Sequence, residues 1–337
     1  MKLDAVSYGR PLTEVVDEVD GARRRGYHGW FVSETTHDPL LQCALAGQVC
    51  GEMEIGTAIT VAFPRSPMHV AYAAHDLQAQ TEGRFVLGLG SQVKPHIEKR
   101  FSSEWSRPAA RMREYVQALR AIWDAWQTGE RLAFRGEFYR HTLMSPFFTP
   151  EDHGHGHPAV WLAAVGPRMT DVTGEVADGL LAHAFTTERY LREVTLPTLA
   201  TGAGRIGRGR DDVEVSLPVF VITGHDERER AASEEMVKRQ IAFYGSTPAY
   251  RGVLDLHGWG ELHEQLHRLS TTNGWEQMPQ LICDEVVDAF AIAAAPDEVG
   301  TAIVERYGEL VDRVSLSTSF AFDDRSVARL RDDLAAA

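Results

Sequence analysis

The sequence predicts an α/β fold, a (β/α)8 or TIM barrel, on three observations. Strand-length apolar runs alternate with amphipathic stretches four times before residue 91. Four further strand-like runs follow in the rest of the chain. The first strand is not followed by Gly-x-Gly-x-x-Gly, and Gly88 and Gly90 make only "GLGSQV", which disfavours the alternative, an open doubly wound sheet. Repeats of this length require parallel strands joined by helical crossovers.

The elements follow in order. "LDAVSY" reads as the first strand. "LTEVVDEVDGARRRG" is a helix with Leu12, Val15, Val16 and Val19 at helical spacing and Gly26 as its stop. "YHGWFVSE", "EIGTAITVA" and "RFVLGLG" are strands two to four. The helices between them are "PLLQCALAGQVCGE" and "MHVAYAAHDLQAQTEG". A polar, basic segment at 91–107 breaks the rhythm. Pro108 then opens a long helix with Met112, Tyr115, Val116, Leu119, Ile122, Trp123 and Trp126 on one face. "AVWLAAVG", "GLLAHAF", "EVSLPVFVIT" and "DRVSLST" are strands five to eight, with a helix from about Pro296 to Tyr307 before the last. One barrel domain spanning 1–337 therefore carries insertions at about 91–107, 128–157 and 243–295 on its mouth. In the last, Phe243, Tyr244, Tyr250 and Trp259 are available either to wall a substrate pocket as a lid or to form the insertion's own core.

Composition narrows the class. The chain has 337 residues, is 44% hydrophobic and carries a formal charge of −14, which argues against nucleic-acid binding. No apolar run of about 18 residues is present, and the N-terminus does not read as a signal peptide, so a cytoplasmic protein is expected, without a membrane partner. Three cysteines, Cys43, Cys50 and Cys283, make no disulfide framework.

In a barrel of this kind the active site lies on the loops after the C-terminal strand ends. That gathers Ser7–Tyr8, Glu34–His37, Ala58–Val61, Gly90–Lys94, Ala164–Gly166, His183–Phe185 and Thr223–His225 around one mouth.

Several stretches resemble the bacterial luciferase-like superfamily, in its order and spacing: "FVSE" with a following "DP", "EIGTAIT" with a proline soon after, "TEGRFVLGLG", "REYVQALRAIW", "AVWLAAVGP" and "GEVADGLL". The likeness covers residues 2–225 and 296–318. "GLGSQVKPHIEKRF", "HTLMSPFFTP" and "QIAFYGSTPAYRGVLDLHGWGE" are similar to the branch that uses the deazaflavin coenzyme F420. The resemblance implies a homodimeric oxidoreductase that moves a hydride between F420 (8-hydroxy-5-deazaflavin) and an unidentified small organic substrate. An FMN-dependent monooxygenase is the alternative, and a cofactor-binding protein without turnover is a third reading.

The resemblance also places the cofactor. It implies a cis peptide at Ala58–Ile59 in a bulge under the ring, with Thr60 beside it. It assigns the phosphate and tail to Ser91 and Gln92 after strand four and to Val165, Gly166, Arg168 and Met169 after strand five, where a helix N-terminus suits an anion. Many relatives have two glycines where this chain has Val165–Gly166. Lys94 and His96 are placed to meet a polyglutamate tail. An acid–His pair after strand two aligns Glu34 with the acid and Thr35 with the histidine, and His37 falls two residues late. Val93 occupies the position at which sugar-phosphate relatives carry a glutamate, so that chemistry is not assigned. The candidate proton donors are His37, Glu34, His183 and Tyr8, with histidine favoured by its near-neutral pKa.

Two motifs compete. "HEQLH" matches His-Glu-x-x-His, in which His263 and His267 would bind zinc and Glu264 would act as base of a hydrolase, with Glu285 or His257 as a third ligand. "HGHGH" at 153–157 alternates His and Gly. Both are expected to be ordinary surface or loop histidines, and no metal site is expected.

Overall fold

The computed structural model describes residues 1–336. Eight parallel strands close into a barrel: β1 (Lys2–Ser7), β2 (Gly29–Val32), β3 (Glu54–Thr57), β4 (Phe85–Gly90), β5 (Ala159–Ala164), β6 (Gly179–Ala182), β7 (Glu214–Ile222) and β8 (Arg313–Ser317). Each pairs with the next, and β8 returns to β1 through Lys2↔Arg313 and Leu3↔Val314. The eight strands are those the sequence predicts. A further short strand, Ala291–Ala293, runs parallel to Phe220–Ile222 of β7. Three residues dominated by alanine give no strand signal, and this one forms only because a partner edge is present.

The long helix Pro108–Thr128 buries all seven of the predicted face residues. On the first helix, Leu12–Arg24, Val15 and Val19 are buried while Leu12 is exposed at the helix start. Cys43 and Cys50 are buried small side chains, and Cys283 is exposed. Segment 128–157 forms a two-stranded hairpin, Phe134–Arg135 with Arg140–His141, and then runs along helix Pro67–Gln80. Tyr72, His75 and Gln78 of that helix hydrogen-bond the carbonyls of Phe148, Glu151, His155 and His157. Segment 243–295 is mostly helical, including Arg251–Leu256, Gly260–Thr271 and Asp284–Phe290. No helix among the described residues is long and apolar enough to cross a membrane.

The barrel interior is polar at its N-terminal end. Arg313 of β8, fully buried, makes a fork with Asp4 of β1 (2.8 and 2.7 Å), reaches Glu214 of β7 (3.2 Å) and bonds Glu54 of β3. Phe31 of β2 and Trp161 of β5 stack on each other at 5.5 Å, with the guanidinium 5.3 and 5.1 Å from their ring centres. Glycines make room for these rings: a Cβ on Gly179 would sit 2.6 Å from Trp161, and one on Gly56 would sit 2.6 Å from Phe31. Burial alone would lower the Arg313 pKa, but the three carboxylates raise it instead. Burial pushes the Asp4 carboxyl up against the pull of Arg313.

Removing one partner of such a cluster strands a buried charge. We predict that Arg313→Met lowers the unfolding free energy by about 3–5 kcal/mol, read from urea denaturation. A change of only a few tenths would show that the cluster does not hold the strands.

Candidate active site at the barrel mouth

The mouth is organised by a bulge at the end of β3. Register runs Gly56↔Val86 before it and Thr60↔Leu89 after it, so β3 spends one residue more than β4 across the gap. The extra residue falls at Ala58–Ile59, whose peptide bond is cis. Thr57 Oγ1 donates to the Gly88 carbonyl (2.7 Å), and a Cβ on Gly88 would collide with the Thr57 carbonyl. Glycine at 88 is therefore a requirement of close backbone approach.

The polar end of β2 clamps this bulge. Ser33 Oγ donates to the Ala58 carbonyl (2.7 Å), and the Glu34 N–H donates to the Ile59 carbonyl (3.1 Å). The Glu34 carboxylate accepts from the Val61 N–H (2.8 Å) and from Arg65 Nη1 at 3.0 and 2.8 Å. Arg65 also reaches Asp38 (2.8 Å), which caps helix Pro39–Ala46. Burial would lower the Arg65 pKa, but Glu34 and Asp38 raise it overall. Both Glu34 oxygens are thus committed, which makes Glu34 a positioning carboxylate better than a proton donor. Thr35 is exposed, its hydroxyl donates to the Tyr8 carbonyl, and its own carbonyl accepts from Arg100 (2.8 Å). His37 is half-buried farther along the same loop.

Thr60 sits beside the bulge, fully buried, with an Oγ1 that has no hydrogen-bond partner among the described residues. Gln92 has φ +56°, and Ser91 Oγ donates to its carbonyl (3.2 Å). Lys94 is exposed and pairs loosely with Glu98 at 3.8 Å. After β5, Gly166 caps helix Pro167–Val176 with no side-chain cap, and the space where its Cβ would lie is open. Arg168 is exposed and makes no ion pair among the described residues, while Val165 and Met169 are half-buried. An orphaned hydroxyl by the bulge, an uncapped helix N-terminus and a free guanidinium suit a ring with an anionic tail, lying over the ends of β3, β4 and β5.

The opposite side of the mouth is aromatic. His183, after β6, accepts at Nδ1 from the Phe185 N–H (2.9 Å). Its ring lies 4.4 Å from Tyr244 and 4.8 Å from Tyr250. Burial lowers its pKa to about 4, so it is neutral at pH 7. Gln240, on helix Glu227–Gly245, accepts from Ser317 Oγ at the end of β8 (3.2 Å), so this helix leans on the strand ends. An open depression of about 460 Å³ lies along it, lined by Met236, Gln240, Phe243 and Tyr244 among others. Tyr244, Tyr250 and Trp259 all pack against the insertion's own core, and Tyr244 and Tyr250 also touch the His183 ring.

The two histidines of "HEQLH" cap the end of a neighbouring helix. His263 Nδ1–H donates to the Gly245 carbonyl (2.7 Å) and His267 Nδ1–H to the Ser246 carbonyl (2.9 Å), capping the end of helix Glu227–Gly245. Glu264 lies 3.7 Å from Arg251, and no group of three or more His, Cys, Asp or Glu among the described residues is arranged for a metal. The His153–Gly–His–Gly–His157 loop is pinned to helix Pro67–Gln80, with His153 4.3 Å from His75. Sequence reasoning missed Ser33 and Arg65. The only signal for Arg65 was an arginine between two prolines in "FPRSP", just past the bulge.

The model of the luciferase-like monooxygenase family matches residues 2–313. An uncharacterised protein of Mycobacterium tuberculosis is 50% identical over 314 residues, covering 93% of this chain and 92% of its own. A 5,10-methylenetetrahydromethanopterin reductase of Archaeoglobus fulgidus is 27% identical over 77% of this chain and 73% of its own. Among solved structures, the coenzyme F420-dependent tetrahydromethanopterin reductase of Methanopyrus kandleri superposes with a TM-score of 0.79, at 18% identity, over 99% of this chain and 98% of that one.

Two outcomes are expected from the site's geometry. Glu34→Gln loses the ionic half of the clamp and should cost about 1–3 kcal/mol in urea denaturation; full stability would show the clamp to be dispensable. His183 has a folded pKa below its ordinary 6.5, so the unfolded chain takes up the proton first as pH falls. Its contribution is present above about pH 6.5 and is lost towards pH 4. Melting temperature should therefore fall less over that window in His183→Gln than in the parent protein; identical pH profiles would contradict this.

Proposed function

This chain belongs to the luciferase-like monooxygenase family, an enzyme family of oxidoreductases, and on that premise we propose that it is an F420-dependent oxidoreductase. It transfers a hydride between the deazaflavin and a small organic substrate. The observation that carries this reading is the bulge at Ala58–Ile59, clamped from β2 and flanked by the unpartnered Thr60 hydroxyl. An F420-dependent glucose-6-phosphate dehydrogenase among its relatives and the F420-dependent reductase among its structural neighbours support it.

The bound deazaflavin would supply a two-electron carbon centre that accepts or donates hydride. The chain supplies position. Ala58, Ile59 and Thr60 form the floor, and Thr35 closes the edge through its bond to Tyr8. Ser91, Gln92 and Lys94 line the loop after β4. Val165, Gly166, Arg168 and Met169 present a helix N-terminus and a cation to a phosphate. Hydride transfer depends on orientation, and a rigid floor provides it. His37 remains a candidate proton donor on the β2 loop. The reading carries with it a homodimer in the cytoplasm, as the resemblance implies.

The second reading, an FMN-dependent monooxygenase, is favoured by the family description itself. Titration with F420 and FMN, followed by tryptophan quenching, separates the two. F420 is expected to bind the more tightly, and tight FMN binding with none of F420 would overturn the proposal. Gly166→Val provides a local test, because φ −94° and open space accept a side chain. We expect an unchanged melting temperature and an F420 affinity about tenfold weaker, or ~1.4 kcal/mol. Unchanged affinity would remove the β5 loop from the phosphate site.

A further inference from the structure

We propose that His183 is the substrate-oxygen donor of this site, and that Tyr8, Tyr244 and Tyr250 form the wall for an uncharged ketone or its secondary alcohol. The inference rests on the F420 reading and adds the substrate class to it.

The argument starts from the division of the mouth. The bulge and the two anion-suited loops occupy the ends of β3, β4 and β5. His183 follows β6, and Tyr8 follows β1 on the far side of β7 and β8. A substrate must therefore enter between the ring and this second wall. The Phe185 N–H donates to His183 Nδ1 at 2.9 Å, which fixes the tautomer: the neutral imidazole carries its proton on Nε2. Nε2 has no partner among the described residues and is not sealed from solvent. The ring is held edge-on to Tyr244 at 4.4 Å and tilted against Tyr250 at 4.8 Å. Tyr250 and Phe185 pack at 5.6 Å behind it. A directed N–H on an aromatic wall is the arrangement for one oxygen on an apolar body.

The same wall disfavours an anion. On the adjoining helix the two cations nearest the aromatic wall are matched, Lys238 by Glu234 (2.6 Å) and Arg239 by Glu235 (2.8 Å), while Arg228 and Arg230 in its first turn make no ion pair among the described residues. A neutral imidazole adds no charge. The phenols of Tyr244 and Tyr250 are pushed up by burial and stay protonated, with Tyr8 near enough to raise Tyr244 further. In the reducing direction the carbonyl carbon gains the hydride and the C=O π pair moves onto the oxygen held at Nε2. A solvent proton completes the hydroxyl, while the reduced deazaflavin is oxidised by two electrons and releases one proton to solvent.

The test uses the full chain with reduced F420 and two probes, 4-phenylbutan-2-one and glucose 6-phosphate. The ketone is expected to saturate and the sugar phosphate not. His183→Phe should lower kcat/KM for the ketone at least about tenfold with F420 affinity unchanged, and His183→Gln, which keeps an N–H donor, should recover part of it. Nitrogen NMR of the unloaded protein should show Nδ1 of His183 without a proton. A protonated Nδ1, an unchanged kcat/KM in His183→Phe, or a site that takes the sugar phosphate and not the ketone would each overturn the assignment, as would failure to bind the ketone. Loss of F420 binding by the parent protein would instead sink the cofactor reading, which keeps the two failures distinct.

Discussion

The fold hangs on one buried cation. Arg313 sits inside the N-terminal end of the barrel and touches Asp4, Glu54 and Glu214, with Phe31 and Trp161 beside it. These residues come from six of the eight strands. A guanidinium with five donors in a plane can bind several carboxylates at once, and a lysine cannot reproduce that fork. The arrangement costs desolvation, so its benefit is in fixing which strands meet and in what register. Lys2, within 3.1 Å of Glu54 and 3.3 Å of Glu214, offsets part of the remaining negative charge.

Because that end is cross-linked, the other end is free to be irregular. The bulge at Ala58–Ile59 departs from strand geometry, and the end of β2 takes up several of the backbone polar groups that strand pairing drops. Ser33, the Glu34 amide and the Glu34 carboxylate serve the Ala58 carbonyl, the Ile59 carbonyl and the Val61 N–H. Arg65 then neutralises Glu34 and ties it to Asp38 and so to the start of helix Pro39–Ala46. The polar run after β2 is thus a supporting strut for β3. The Glu34 carboxylate holds the bulge in place.

The two halves of the mouth differ in kind. Loops after β4 and β5 offer backbone N–H groups, small residues and a free arginine. The side made by His183, Tyr8 and segment 243–295 offers rings. An asymmetric mouth of this sort pairs a polar, anion-suited side with an apolar one.

The eight strands, the buried face of helix Pro108–Thr128 and the placement of a special bond at Ala58–Ile59 were legible in the sequence, by periodicity and by family resemblance. Periodicity works there because apolar spacing reports directly on which face is buried. Three things were decided only in three dimensions. His263 and His267 share a helix face, and only the approach of the Gly245 and Ser246 carbonyls showed that they cap a neighbouring helix. The strand Ala291–Ala293 exists because β7 is long enough to offer it an edge. Glu34 and Arg65 lie 31 positions apart and carry no local signal, so their pairing, which fixes the role of Glu34, depended on chain segments that meet only once the barrel has closed.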